Sequence, residues 1–202
     1  SLPILSNILL EVKKGRLNLL ATDLEIGVRC NISGKIEGEG SLALPADIIT
    51  SYINLLPENN VELETRDQIL HLESGGFKTD IKGVSGKEFP IIPEVKNEPL
   101  TKIPVDLSIP SLNQVIFAAS IEESRPEISG ISFDFEGNIL TLAATDSYRL
   151  AEKKVKLENK IKERKSIIIP TKTVQELLTI TNQEVGDILI SISENQVLFH
   201  FD

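Results

Sequence analysis

The side chains that most often carry catalysis are sparse in this 202-residue chain: two histidines, His71 and His200, and one cysteine, Cys30. Both histidines fall in runs where apolar and polar residues alternate, with no neighbouring Cys or paired carboxylate. They read as strand residues rather than as metal ligands or general bases. Glu122-Glu123 is the other metal candidate, but it stands in a polar turn beside Arg125, whereas magnesium sites gather carboxylates around substrate phosphates. A solvated turn is the better reading. The sequence has no Gly-x-x-x-x-Gly-Lys loop and no Gly-x-Gly-x-x-Gly, so nucleotide hydrolysis and dinucleotide redox chemistry lack their phosphate cradles. No catalytic residue, cofactor or metal is expected.

Binding chemistry is better supplied. The string Ile-Leu-Thr-Leu-Ala-Ala-Thr-Asp-Ser-Tyr-Arg-Leu, from Ile139 to Leu150, recurs in altered form as Arg-Leu-Asn-Leu-Leu-Ala-Thr-Asp-Leu-Glu-Ile, from Arg16 to Ile26. After the shared Ala-Thr-Asp the two copies diverge, one continuing Leu24-Glu25-Ile26 and the other Ser147-Tyr148-Arg149-Leu150. Adjacent Tyr and Arg offer large amphipathic contact surfaces of the kind enriched in binding hot spots. A strand start with a solvated Arg is the alternative, and the residues alone leave both open. For anions the candidates are Arg125 and Lys172, the latter at the start of an expected helix, where free backbone N–H groups suit phosphate. Arg66 and Lys78 are weaker candidates on first-module strands.

The elements that must hold these residues repeat. At one constant spacing Ser6 falls on Ser129, Ile8 on Ile131, Leu10 on Phe133, Leu17 on Leu140, and Ala21-Thr22-Asp23 on Ala144-Thr145-Asp146. With slightly larger spacings Ser41 to Pro45 falls on Ser166 to Pro170, and Gln68-Ile69-Leu70 on Gln196-Val197-Leu198. Small loop insertions account for the drift. In the first module, alternation predicts a hairpin of Leu5 to Lys13 and Leu17 to Ala21, then strands Glu25 to Ile32 and Ser41 to Leu44. Helical spacing of Ile48, Ile49, Tyr52, Ile53 and Leu56 follows, ended by Pro57. A hairpin around Arg66-Asp67 and a strand Phe77 to Ile81 complete the module, and Phe89-Pro90 opens a polar, Pro-rich linker to Pro99.

The second module is read as a strand Ile103 to Leu107 and a helix from Ser111 with Leu112, Val115, Ile116 and Ala119 on one face. Strands Ile131 to Phe135, Ile139 to Ala144 and Arg149 to Lys156 come next, then a basic loop Lys160 to Lys165. Strand Ser166 to Ile169, helix Thr171 to Thr179 and a final hairpin close it. The expectation is an α+β fold of two modules, residues 1–97 and 98–202, each built from antiparallel sheets with one buried face and two helices. The first strand and helix of module one and the last strand of module two have no counterpart in the sequence, so truncation at both ends is expected.

Composition sets the outer limits. Apolar content of 41% with 25% charged residues is ordinary for a soluble globular protein, and no apolar run reaches the ~20 residues of a membrane span. One cysteine excludes an internal disulfide and a zinc cluster, and nothing resembles a secretion signal, so a reducing cytoplasmic setting is expected. A net charge of -9 argues against coating nucleic acid with the whole surface, but leaves room for a local basic lining.

Four strings in order, Leu2-Pro3-Ile4-Leu5-Ser6-Asn7, Phe89-Pro90, Ser124-Arg125-Pro126-Glu127-Ile128-Ser129-Gly130-Ile131 and Ala144-Thr145-Asp146-Ser147-Tyr148-Arg149-Leu150-Ala151, closely resemble the bacterial DNA polymerase III β subunits, the sliding clamps. The resemblance runs over the whole chain. It implies a DNA clamp fold with three similar domains per subunit, of which this chain would hold most of two, and a head-to-tail homodimer closing a six-domain ring around double-stranded DNA. It implies as partners the DNA polymerase III catalytic subunit, the clamp loader, and other polymerases and repair proteins with clamp-binding peptides. By the same resemblance Ile128, Thr145, Ser147, Tyr148, Arg149 and Leu150 would form part of a peptide groove, Arg125 and Lys172 would meet DNA, and Phe77, Thr79 and Ile81 would lie at the subunit boundary.

Overall fold

The computed structural model of the chain describes residues 2–57, 60–120, 122, 124–181 and 184–201. It divides into two compact units, Ser1–Pro93 and Glu94–Asp202. Both are built from antiparallel strands with α-helices packed on them, an α+β architecture.

In the first unit a short 3-10 turn leads into β1 (Asn7–Lys13), β2 (Arg16–Thr22), β3 (Gly27–Ile32) and β4 (Gly40–Pro45). Helix α1 (Ala46–Ile53) follows, then β5 (Glu62–Arg66), β6 (Ile69–Ser74), β7 (Phe77–Lys82) and β8 (Val84–Ser85). One sheet runs β3-β2-β1-β4-β8 and a second runs β5-β6-β7. The Lys14-Gly15 turn between β1 and β2 has positive φ at both residues, 52° and 71°, which fits the right-handed twist of a tight hairpin.

The five-stranded sheet buries both faces, where alternation had suggested one. Leu10, Leu42 and Leu44 join Ile49 of α1 and Leu70, Leu72 and Ile81 of the smaller sheet. On the other face Leu9, Leu20 and Ala43 pack with Phe89, Ile4, Val84 and Ile92. The cause is the stretch after β7, which is not linker from Phe89 onward: β8 pairs with β4, and Phe89 lies in the core. Gly86 permits the approach, since a Cβ there would stand 2.4 Å from Ser41 Oγ. Edge strand β3 has no buried residue.

The second unit contains β9 (Thr101–Pro104), α2 (Val105–Ile116), β10 (Gly130–Thr145), β11 (Leu150–Pro170), α3 (Thr171–Thr181), β12 (Asp187–Ile192) and β13 (Val197–Phe201). Its sheets are β10-β11 and β13-β12-β9. One core joins Val115 of α2 and Val174 of α3 with Ile131, Phe135, Leu140 and Leu142 of β10 and Ile188 of β12. The two helices lie against each other.

Two expectations for this unit are corrected. Helix α2 starts at Val105 rather than Ser111, and Pro110 lies inside it. Its buried stripe is Val105, Ser108, Ser111, Leu112 and Val115, so two serines dilute the apolar period that marks a helix. Ser111 Oγ donates to the Leu107 carbonyl at 2.6 Å, which satisfies the buried hydroxyl inside the helix. The expected basic loop Lys160 to Lys165 is strand, and β11 runs unbroken through it. Ile161 is buried there, and Arg164 grips Asp134 of β10 through Nε and Nη2 at 2.9 and 2.8 Å.

The repeat survives at the level of register. Ile8↔Leu44, Leu10↔Leu42 and Val12↔Gly40 of the first unit answer to Ile131↔Ile169, Phe133↔Ile167 and Phe135↔Lys165 of the second. Leu17↔Ile32, Leu19↔Cys30 and Ala21↔Val28 answer to Leu140↔Val155, Leu142↔Lys153 and Ala144↔Ala151. Strand β10 thus corresponds to β1 and β2 together, and β11 to β3 and β4. Gly137, where the register of β10 shifts, takes the place of Lys14 and shares its positive φ, 57° against 52°.

Candidate functional site

The shared Ala-Thr-Asp builds the same turn twice. In the first unit Thr22 Oγ1 donates to the Ile26 carbonyl at 2.8 Å and accepts from Leu24 N at 3.0 Å, while Asp23 Oδ1 accepts from the amides of Glu25 and Ile26 at 3.1 and 2.8 Å. In the second, Thr145 Oγ1 donates to the Arg149 carbonyl at 2.7 Å and accepts from Ser147 N at 3.1 Å, while Asp146 Oδ1 accepts from Tyr148 and Arg149 N at 3.0 and 2.9 Å. Leu24 and Ser147 both take positive φ, 80° and 77°. The backbone is therefore set by Thr and Asp, whose short side chains close such turns, and the residues between them are free to vary.

What varies faces solvent. Tyr148 is 98% exposed and Leu150 72%. Arg149 Nε donates to Asp146 Oδ2 at 2.9 Å, and its Cζ stands 5.5 Å from the centroid of the Phe117 ring. The amides of Arg149 and Tyr148, followed by the Arg149 guanidinium, hold the Asp146 carboxyl below the usual carboxylate range. Thr145, Ser147, Tyr148, Arg149 and Leu150 thus form one exposed turn at the tip of the β10–β11 hairpin.

Ile128 belongs to a neighbouring turn. The Arg125 carbonyl accepts from Ile128 N and Ser129 N, both at 3.0 Å, and the half-buried Ile128 accepts from Ser120 N at 2.9 Å through its own carbonyl. Ser120 follows the end of α2, where Phe117 is the C-terminal cap. Phe117 is the residue that sequence reasoning missed. It stands outside the apolar stripe of α2 and is 57% exposed, and that lone aromatic off the helix face was the available signal.

The two DNA candidates are tied through Ser129. Its N–H donates to the Arg125 carbonyl, and its own carbonyl accepts from Thr171 N at 3.1 Å and Thr171 Oγ1 at 2.8 Å. Arg125 is exposed, and Lys172 is the second residue of α3, whose first turn carries no acidic side chain. In α1 and α2 the first turn carries Asp47 and Asp106.

The three boundary candidates lie on edge strand β7 and differ in exposure. Phe77 is 57% exposed, Thr79 is half-buried, and Ile81 at 5% belongs to the core. The histidine reading needs one amendment: Asp80 lies directly across from His71, with Nδ1 and Oδ1 2.6 Å apart, a pairing made by strand register and invisible in the linear sequence. Among the described residues no group of three His, Cys, Asp or Glu side chains is placed to hold a metal ion, and Glu123 of the Glu122-Glu123 pair lies outside them. No helix among the described residues is long and apolar enough to cross a membrane.

Comparison with known proteins matches the same two units. Residues 1–93 match the family model of the DNA polymerase III beta subunit N-terminal domain, and residues 102–202 that of its central domain. The beta sliding clamp of Staphylococcus epidermidis is 34% identical over 98% of this chain and 55% of its own length, and that of Staphylococcus aureus is 33% identical over the same shares. Among solved structures, the DNA polymerase sliding clamp of Bacillus subtilis superposes with a TM-score of 0.92 at 30% identity, covering 99% of this chain and 55% of that one. A DNA polymerase III beta subunit of Thermotoga maritima gives 0.89 at 28% identity, covering 100% and 55%. The chain spans about half the length of these relatives. With clamp domain models matched along both units and the clamp fold reproduced, the chain belongs to the DNA polymerase III beta subunit family.

Proposed function

We propose that this chain supplies the first two modules, residues 1–97 and 98–202, of a ring-shaped processivity clamp. The ring encircles duplex DNA without reading sequence, tethers the replicative polymerase, and does no chemistry of its own. Its partners are double-stranded DNA, the DNA polymerase III catalytic subunit, a clamp loader, and polymerases and repair proteins that carry clamp-binding peptides. Subunits pair head to tail, with β7 and Phe77 at the boundary.

The observation that carries the reading is the duplicated turn. Both copies keep the Thr-Asp scaffold, but only the second displays Tyr148, Arg149 and Leu150 outward. An exposed Tyr-Arg-Leu run on a backbone fixed by the Thr145 and Asp146 side chains is suited to capture an extended peptide: Leu150 and Ile128 give the apolar floor, and Arg149 lies on the rim. Arg125 and the amino end of α3 with Lys172 supply weak, sequence-independent phosphate contacts, as a sliding ring requires. A chain of net charge -9 is compatible with this because retention comes from topology.

The test is retention of the full-length protein, loaded by its clamp loader, on nicked circular DNA in gel filtration. Co-elution that disappears when the circle is linearised is the expected result. Equal retention on both forms, or none on either, would overturn the clamp reading.

A further inference from the structure

We propose that Phe117 is a positioning residue of the peptide groove, holding the Arg149 guanidinium so that its Nη edge faces an acceptor oxygen on the bound peptide. The inference rests on the peptide-groove reading above.

Arg66, Arg149 and Arg164 each pair with a carboxylate, and Arg149 does so differently. Arg66 grips Glu64 through Nε and Nη2, both at 2.8 Å, and Arg164 grips Asp134 in the same two-pronged way. Arg149 gives Asp146 only Nε, at 2.9 Å to Oδ2. The reason is local: Asp146 Oδ1 is already engaged by the amides of Tyr148 and Arg149, so one oxygen is left for the guanidinium. The Nη donors of Arg149 are therefore not consumed within the turn, although a guanidinium is built to engage acceptors in pairs.

A single charge-assisted bond leaves a long side chain free to rotate about it. Phe117 restricts that freedom by placing its ring 5.5 Å from Arg149 Cζ, within the range of a cation–π contact. The backbone that carries the ring is fixed. Phe117 caps α2 in helical conformation, φ -65° and ψ -19°, between Val115 and Ala118, both fully buried. Asp146 thus fixes the Nε edge and Phe117 covers a face, which leaves the Nη edge to meet a ligand. An arginine ordered in advance loses less side-chain entropy on binding. The acceptor is a carbonyl or a carboxylate of the peptide, next to the apolar anchors that Leu150 receives.

The experiment is fluorescence anisotropy with a labelled extended peptide carrying Leu and Phe anchors and one Asp, and a second peptide with Asn at that place. The proteins are wild type, Phe117→Ala, Phe117→Leu, Phe117→Tyr, Arg149→Ala and the Phe117→Ala/Arg149→Ala double variant. Phe117→Ala and Phe117→Leu should each weaken binding roughly three- to five-fold, the size of an exposed cation–π contact. Phe117→Tyr should stay within about two-fold of wild type, because the aromatic face is kept. The double variant should bind no worse than Arg149→Ala alone, since Phe117 acts only through that arginine. Loss of discrimination between the two peptides in Arg149→Ala marks a carboxylate as the acceptor; equal affinity of each protein for the two peptides, with the losses between proteins kept, marks a backbone carbonyl. In nitrogen-15 NMR the Arg149 Nε–H signal should be sharp in wild type and broadened in Phe117→Ala, a readout that a merely structural role for Phe117 would not move. Additive losses in the double variant, or retention of affinity in Phe117→Leu, would overturn the positioning role while leaving the groove intact. Failure of wild type to bind either peptide would overturn both readings.

Discussion

Asp146 holds more of the candidate site together than any residue displayed on it. One oxygen orders the turn through two amides and the other orders Arg149, so its ionisation is linked to the geometry of the whole tip. Because these bonds favour the ionised form, its folded pKa lies below the unfolded value of about 3.9, and the stabilisation is complete above that value. It is lost only as pH falls through the depressed folded value. In an NMR pH titration the Tyr148 and Arg149 amide shifts should stay constant from neutrality to about pH 4 and move only beneath it; movement already near pH 6 would contradict the assignment. Leu150 is the complementary case, an apolar side chain left 72% exposed. Leu150→Ala should cost peptide binding about 1 to 2 kcal/mol with no loss of thermal stability, measured by titration alongside circular dichroism. The residues of this turn were legible in the sequence because turn chemistry is local. The contact of Phe117 with Arg149 and the Ser129 bridge to Thr171 were not, because they depend on which distant segments the core brings together.

The same division between local and distant causes governs the elements. Hairpin β1–β2, strands β3 and β4 and helix α1 follow from alternation and helical spacing, as do β5, β6 and β7, although α1 ends at Ile53 with Asn54 as its cap, short of Leu56 and Pro57. Helix α2 does not, since two buried serines and Pro110 each weaken a helical signal that tertiary packing restores. Pro110 is the sixth residue of α2, too deep for its missing N–H to be one of the helix's unpaired first donors, and its side chain is exposed. Pro110→Ala should therefore restore one backbone hydrogen bond without disturbing the core, and should raise stability by about 1 to 3 kcal/mol in urea unfolding. An unchanged or lower midpoint would show that the proline fits α2 without cost. Strand β11 was misread for a related reason. Its Lys-rich middle has the composition of a loop, yet Leu157 and Ile161 are buried and Arg164 pairs with Asp134, so side chains from elsewhere decide its form.

At the scale of the whole molecule, the internal repeat decides what one chain can do. Corresponding pairs recur in both units down to single residues of register, so each unit solves the same packing problem with its own core. Each unit also leaves sheet edges with unpaired backbone groups, and such edges must be protected or specified. Strand β7 is such an edge, with β6 on one side and none of the described strands on the other. Along it Phe77, Thr79 and Ile81 share a face, but the face is divided: Phe77 projects to solvent, whereas Ile81 packs with Leu70 and Leu72. Two substitutions that look alike in the sequence should consequently behave in opposite ways. Phe77→Glu should leave the melting temperature within a few degrees of wild type and lower self-association of the full-length protein in analytical ultracentrifugation, because it charges an exposed edge. Ile81→Glu should lower stability by roughly 3 kcal/mol or more, because it places an unpaired carboxylate in a core, and any loss of assembly would then follow from unfolding. A Phe77→Glu protein that sediments as wild type does would remove β7 from the subunit boundary, even with the fold unchanged.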